Sequence, residues 1–266
     1  MSELIEYAAD GRVATVTLNR PEKINAITPA LQRALLDALR RAADDRDVRV
    51  AIVRGAGRGF CAGYDVTSGE MTVTGVPADR LQLEAILRGW LEIWDLPIPV
   101  IAQVHGVCLA GGTQLAAICD VTFVASDARV GTPQLPLGAG YVASFWAWFV
   151  GPKKAKEVFF ETGAVIGADE AVAMGLFNRV VPAADLDAAV RGYAHAVARQ
   201  PKDLLALQKL AINRTQEAQG FRQALLQGAE IDAIAHASPA VRTVNRHIAE
   251  HGLREALAAF RRGDLV

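Results

Sequence analysis

The sequence predicts an α/β fold: a mixed core of loosely repeated ββα units followed by a helical C-terminal part. Three observations carry that prediction. Short apolar runs at 48–53, 100–104 and 121–125 have the length of buried strands. The first two close in glycine-containing turns and stretches with helical spacing follow, so strand, turn and helix recur roughly every 40–60 residues without a strict sequence repeat. From residue 201 onward the chain reads as helix after helix. Its 266 residues are 52% apolar, enough for a full core near the upper size of one domain.

The elements follow in order. Residues 3–8 and 12–18 flank Asp10-Gly11, and Ala14, Val16 and Leu18 alternate with Thr15 and Thr17. An Asp-Gly dipeptide between alternating runs signals a β-hairpin. Asn19-Arg20-Pro21 ends the second strand, because proline removes a ladder donor. Thr28-Pro29 has the form of an N-cap followed by proline at the first helical position, and Leu31, Leu35, Ala38, Leu39 and Ala42 continue at helical spacing. The 48–53 strand closes in Gly55-Ala56-Gly57-Arg58-Gly59, followed by Phe60-Cys61-Ala62-Gly63-Tyr64-Asp65. Residues 67–78, rich in Thr, Gly and Val, read as a loop. Leu83, Ile86, Leu87, Trp90 and Trp94 define a helix over 79–95, stopped by Pro97 and Pro99. The 100–104 strand closes in His105-Gly106 and the run to Gly112, and a helix over 113–118 leads into the 121–125 strand. Beyond residue 150 the chain is mostly helical, with one more strand at 178–181. Leu204, Leu207, Ile212, Phe221, Leu225 and Ile231 supply apolar faces. The expected division is a core at 1–200 carrying the site and a helical subdomain at 201–266, suited to assembly or to an intrachain lid.

Composition excludes several functions. Charged residues make up 21% and the net charge is -1, with no basic stripe, so nucleic acid is not an expected partner. The first residues lack the positive and apolar regions of a signal peptide. The most apolar stretch is broken by Gln103, His105 and Gly106, so no membrane span is expected. Cys61, Cys108 and Cys119 form no CxxC pair, which fits buried thiols in a reducing, cytoplasmic setting. Gly55 to Gly59 lacks the G-x-G-x-x-G spacing of a dinucleotide site, and no G-x-S-x-G elbow of a serine hydrolase is present.

Two turns share a pattern that bears on chemistry. Cys61-Ala62-Gly63-Tyr64 and Leu109-Ala110-Gly111-Gly112 are both Ala-Gly turns just after a buried strand. If the strands are neighbours, two backbone N–H groups can converge on one oxygen and stabilise an oxyanion. The second turn opens a helix whose positive dipole end would add to that. Spacing alone favours two ordinary strand-to-helix turns, because glycine-rich turns are common.

At these residues the chain resembles the enoyl-CoA hydratase/isomerase, or crotonase, family. The resemblance rests on Asn19-Arg20-Pro21, Asn25-Ala26, Phe60-Cys61-Ala62-Gly63-Tyr64-Asp65, Pro99-Val100-Ile101-Ala102 with His105-Gly106, and Ala110-Gly111-Gly112. It continues through Ala116, Cys119-Asp120, Gly131-Thr132-Pro133-Gln134, Thr162-Gly163, Ala168, Ala171, Gly175-Leu176 and Val180-Val181-Pro182. It implies a crotonase-like spiral of ββα units and an acyl-CoA thioester substrate. Coenzyme A would enter only as part of the substrate, with no metal or redox cofactor. It also implies a homotrimer or dimer of trimers made through the C-terminal helices. The family's oxyanion donors map onto the N–H groups of Tyr64 and Gly111. Its CoA-facing loop maps near Lys23, Ile24 and Ala26, and the wall beside the first donor onto Ala62, Asp65 and Val66.

The chain departs from that family at two positions. The hydratases use two glutamates to manage one water, and the corresponding residues here are Gln114 and Gln134. A carboxylate can take a proton from water, whereas a glutamine amide orients water but does not titrate. Plain 2-enoyl-CoA hydration is therefore doubtful. The alternatives are an isomerase or CoA-thioester hydrolase with a displaced base, or a non-catalytic acyl-CoA-binding subunit. Asp65, His105, Tyr64 and Tyr141 are the groups to weigh as replacement acids or bases, and Cys61 and Cys108 as nucleophiles. The shorter segment 135–141 would border the acyl pocket. Trp90, Trp94, Phe145, Trp146 and Trp148 would line a bulky pocket or fill the helix core. Arg58 or Lys23 would meet a CoA phosphate or stay solvated.

Overall fold

The computed structural model describes residues 3–68 and 75–265. A two-residue turn at Gly11-Arg12 joins β1 (Ile5–Asp10) to β2 (Val13–Leu18), with Asp10 opposite Val13. The turn thus lies one residue later than Asp10-Gly11 suggests. Thr28 caps α1 (Pro29–Asp44) as expected, its Oγ1 accepting from Leu31 N–H at 3.1 Å. Next come β3 (Val50–Gly55), β4 (Gly59–Cys61) and α2 (Val76–Asp95). Helix α2 starts three residues before the expected position because Pro77 is accommodated in its first turn. Residues 76–78 are therefore helix, not loop, and residues 69–74 of the expected loop lie outside the described residues. The chain continues through β5 (Val100–Val104), β6 (Val107–Leu109), α3 (Gly111–Ile118), β7 (Val121–Ala125), β8 (Arg129–Gly131) and α4 (Ala143–Phe159). After these come β9 (Val165–Gly167), α5 (Ala168–Ala173), β10 (Arg179–Val181) and α6 (Leu186–Val197). Four helices end it: α7 (Lys202–Ala218), α8 (Phe221–His236), α9 (Pro239–His251) and α10 (Leu253–Arg262).

Strands β4, β6, β8 and β9 were not expected. Each has three residues, too few to show a period of two, and three of them contain glycine. Their pairing makes the fold. One sheet has the order β1-β2-β3-β5-β7-β10, parallel except for the β1–β2 hairpin. The other has the order β4-β6-β8-β9, parallel except for β8–β9. Consecutive strands therefore step from the large sheet to the small one, β3 to β4, β5 to β6 and β7 to β8, before a helix returns. That is a spiral of ββα turns. Strand β5 is buried along its whole length, as a parallel strand covered on both faces should be.

Beyond residue 200 the helices divide. The Lys209 ammonium of α7 donates to the carbonyls of Ile93 and Ile98 at 3.0 and 3.2 Å and meets Asp120 at 2.8 Å. Phe221, Leu225, Ala229 and Ala233 of α8 lie in the main core, where Phe221 stacks on Trp94. Helices α9 and α10 instead form a second apolar cluster with Leu135 and Leu137. No helix among the described residues is long and apolar enough to cross a membrane.

Candidate active site

The parallel pairing of β4 with β6, Cys61 opposite Cys108, brings the two Ala-Gly turns side by side. Their contact is close. A Cβ on Gly63 would lie 2.9 Å from the Ala110 Cβ and 3.3 Å from the Gly111 nitrogen, and Gly63 also holds φ at +100°. A Cβ on Gly111 would lie 2.6 Å from the Tyr64 ring. At the first turn, Ile27 bridges Tyr64 as a parallel partner: its N–H donates to Gly63 O and its carbonyl accepts from Asp65 N–H, both at 2.8 Å. That pattern turns Tyr64's own N–H away from Ile27. At the second, Gly111 is the first residue of α3, so its N–H has no intrahelical acceptor. Ala110 before it holds φ +48° and ψ -120°, a strained state for a residue with a Cβ. Among the described residues neither N–H has an acceptor.

A directed chain of hydrogen bonds stands behind these donors. The Trp90 indole, which can only donate, donates to the Tyr64 hydroxyl at 2.9 Å. The hydroxyl then donates to Gln114 Oε1 at 2.7 Å. Gln114 Nε2 donates to the Tyr141 carbonyl at 2.8 Å, and the Tyr141 hydroxyl to the Leu83 carbonyl at 3.0 Å. The donor-only indole and the acceptor-only carbonyl fix the orientation of the amide between them. Gln114 is fully buried. Burial raises the Tyr64 and Tyr141 hydroxyls above the ordinary tyrosine value, so both keep their protons.

The loop carrying Lys23, Ile24 and Ala26 is tied to the first turn. Ile24 and Asn25 both have positive φ, 48° and 54°. Ala62 N–H donates to Ile24 O at 2.9 Å, and the buried Asn25 amide donates to the carbonyls of Ala56, Gly59 and Phe60. Arg20 donates to Ala26 O and to Asp65 Oδ2, the latter at 3.0 Å. Lys23 and Val66 are exposed, and Val66 N–H donates to Tyr64 O. The loop residues, Ala62 and Asp65 thus share one edge of the site.

The groups weighed as replacement bases or nucleophiles are engaged elsewhere. Burial alone raises the Asp65 carboxyl, but Thr67 and Arg20 outweigh it and hold the group below the usual range. Asp65 is a structural anion. His105 bonds the Gly57 carbonyl at 2.9 Å and lines a separate cleft of about 530 Å³ with Arg54, Arg58 and Asp187. Burial pushes the Cys61 thiol up to about 12 and the Cys108 thiol well above its usual value, so neither is a ready nucleophile. Gln134 turns back on its own segment, its Nε2 3.3 Å from Gly163 O and 3.4 Å from Thr132 O. Gln114 lies in α3, the helix that follows β6, and Gln134 three residues beyond β8, and the two strands pair Leu109 with Gly131. Trp90, Trp94, Phe145 and Trp146 belong to the core, with Trp148 packed against it. Sequence reading missed the hydrogen bond from Trp90 to Tyr64 and the Arg20 tie. Helical spacing marks Trp90 only as buried, and a 45-residue separation hides the Arg20–Asp65 pair.

Comparisons place the sequence and the fold among known proteins. A sequence profile described as enoyl-CoA hydratase/isomerase matches residues 8–239. A Mycobacterium tuberculosis protein carrying the name of an enoyl-CoA hydratase is 34% identical over 261 residues, covering 88% of this chain and 81% of that one. Among solved structures, an enoyl-CoA hydratase/isomerase from Xanthobacter autotrophicus Py2 matches with TM-score 0.90 at 37% identity, covering 97% of each chain. An enoyl-CoA hydratase from Mycobacterium smegmatis matches with TM-score 0.88 at 32% identity, covering 96% of this chain and 92% of that one.

Proposed function

Because the chain belongs to the enoyl-CoA hydratase/isomerase family, whose members act on acyl-CoA thioesters, we propose that the N–H groups of Tyr64 and Gly111 receive the thioester carbonyl oxygen. They stabilise the enolate or oxyanion that forms there. The observation that carries this reading is the pair of free N–H groups on turns held together by β4 and β6. Each such donor is typically worth about 10²–10³ in rate. Lys23, Ile24 and Ala26, with Ala62, Asp65 and Val66, form the edge along which the CoA portion lies. Coenzyme A comes and goes with the substrate. The protein works in the cytoplasm as a trimer or dimer of trimers.

Ordinary water addition is not the favoured reaction. Gln114 cannot take a proton, and its oxygen already accepts from Tyr64. Gln134 cannot take one either. Each missing acid or base typically costs about 10²–10⁴-fold. The reading kept is an isomerase or thioester hydrolase whose displaced base is none of Asp65, His105, Tyr64 and Tyr141. A non-catalytic acyl-CoA-binding subunit is the second reading, favoured by amides at both positions. Crotonyl-CoA decides between hydration and these: it should bind, with no loss of the conjugated thioester absorbance. Rapid hydration would refute the inference from the two glutamines. Hydratase activity gained by Gln114→Glu/Gln134→Glu, with no other activity in the parent, would favour the binding subunit.

A further inference from the structure

Tyr64 contributes to the site twice, by its backbone and by its side chain. The phenol ring lies against Gly111, and its hydroxyl is held from two directions by Trp90 of α2 and Gln114 of α3. The Tyr141 ring stands 5.8 Å away between centroids. Trp90, Gly111, Gln114 and Tyr141 are all buried, so this side of the paired N–H groups is filled by protein. A thioester has two arms. In the reading above the CoA arm leaves along the Lys23–Ala26 edge. The acyl arm needs a path of its own, and the space between Gly111 and Gln114, which the Tyr64 phenol fills, is the path this inference assigns to it. The geometry points to Tyr64 as the residue that selects acyl size. With its hydroxyl latched to Trp90 and Gln114, the site takes short acyl groups, and longer chains enter only when the phenol swings out. The latch consists of two hydrogen bonds, which favour the closed state by a factor on the order of 10–100.

This inference rests on the acyl-CoA reading and can be tested apart from it, because Tyr64→Ala removes the phenol and keeps the backbone N–H. Acetyl-, butyryl-, hexanoyl- and octanoyl-CoA would be titrated calorimetrically into the parent, Tyr64→Ala and Tyr64→Phe. The parent should bind butyryl-CoA more tightly than octanoyl-CoA. In Tyr64→Ala the order should reverse, since each methylene entering an apolar space tightens binding about fourfold. Octanoyl-CoA would then lead butyryl-CoA by on the order of a hundredfold. Tyr64→Phe keeps the ring and cuts both latch bonds, so its affinity for octanoyl-CoA should rise by about 10–100-fold; it serves if Tyr64→Ala does not fold. The same chain-length profile in the parent and the folded variants would overturn the selector role. Failure of every protein to bind any of the four esters would overturn the acyl-CoA reading itself.

Discussion

At the residue scale, the identity of residue 114 is explained by its neighbours. Its side chain must accept from the Tyr64 hydroxyl at one end and donate to the Tyr141 carbonyl at the other. Glutamine does both, and an ionised carboxylate would face the carbonyl with a second acceptor. Q114E is therefore expected to lose about 1–3 kcal/mol of stability at neutral pH. Burial would raise the new carboxyl's folded pKa above its unfolded value. The stability it retains is present below the unfolded pKa and lost as pH rises through the folded one, so urea unfolding should show a wider gap from the parent at pH 8 than at pH 5. An equal gap at both would refute this account. Asp65 has the opposite sign. Its folded pKa is depressed, so its contribution is present above the unfolded value of about 3.9 and lost as pH falls through the folded one. Asp65→Asn should flatten the acid limb of stability below about pH 4, and an unchanged limb would count against the Arg20–Asp65 tie. The sequence marked residues 65 and 114 through motif position, but not their partners, because Thr67 alone is a sequence neighbour.

At the element scale, the site depends on two three-residue strands. Neither β4 nor β6 has enough side chains to hold its register by packing, and both are fixed by the elements around them. The turns that follow are pressed together so closely that Gly63 has no room for a methyl group. Gly63→Ala would also strain a backbone at φ +100°. It should push the first turn off the second and weaken acyl-CoA turnover or binding by on the order of a hundredfold, the cost of one displaced donor. Circular dichroism should remain that of the parent; unaltered affinity would show that the two turns do not act together. The longer elements were legible because they announce themselves locally: Thr28-Pro29 caps α1, and the apolar faces of α1 and α2 are continuous. Strands β4, β6, β8 and β9 were not, since their stability comes from neighbours far along the chain.

At the scale of the whole molecule, the C-terminal helices are tied to the site by different means. Helix α7 inserts Lys209 beneath the end of α2, where burial raises the Asp120 carboxyl and the ammonium opposes that rise. Lys209→Met would leave Asp120 buried without its counter-charge, and equilibrium unfolding should show a loss of about 3–5 kcal/mol. A loss below about 1 kcal/mol would place the pair among weak surface bridges. Helix α8 holds the segment beside Gln134, with Asp232 accepting from the N–H groups of Ala139 and Gly140 at 2.5 and 2.8 Å. Helices α9 and α10 pack Val244, Ala256 and Ala259 onto Leu135 of the same segment. Helices α8 to α10 thus pack against segment 135–141 of their own chain, which leaves both assembly and an intrachain lid open for the tail.

What the sequence determined by itself is whatever rests on local chemistry. The fold class follows from periodicity and turn residues, the two Ala-Gly turns from their glycines, and the family from motifs in order along the chain. That residues 114 and 134 carry amides and not carboxylates is also plain in the sequence, because an amide is an amide in any fold. Tertiary structure alone decided where those groups point. It brought Cys61 beside Cys108, laid the Tyr64 phenol against Gly111, and connected Trp90 to Gln114 through one hydroxyl. Hydrogen bonds between residues 26 and 50 positions apart leave no periodic trace in a sequence, because their geometry exists only once β4 and β6 are paired and α2 and α3 are packed over them.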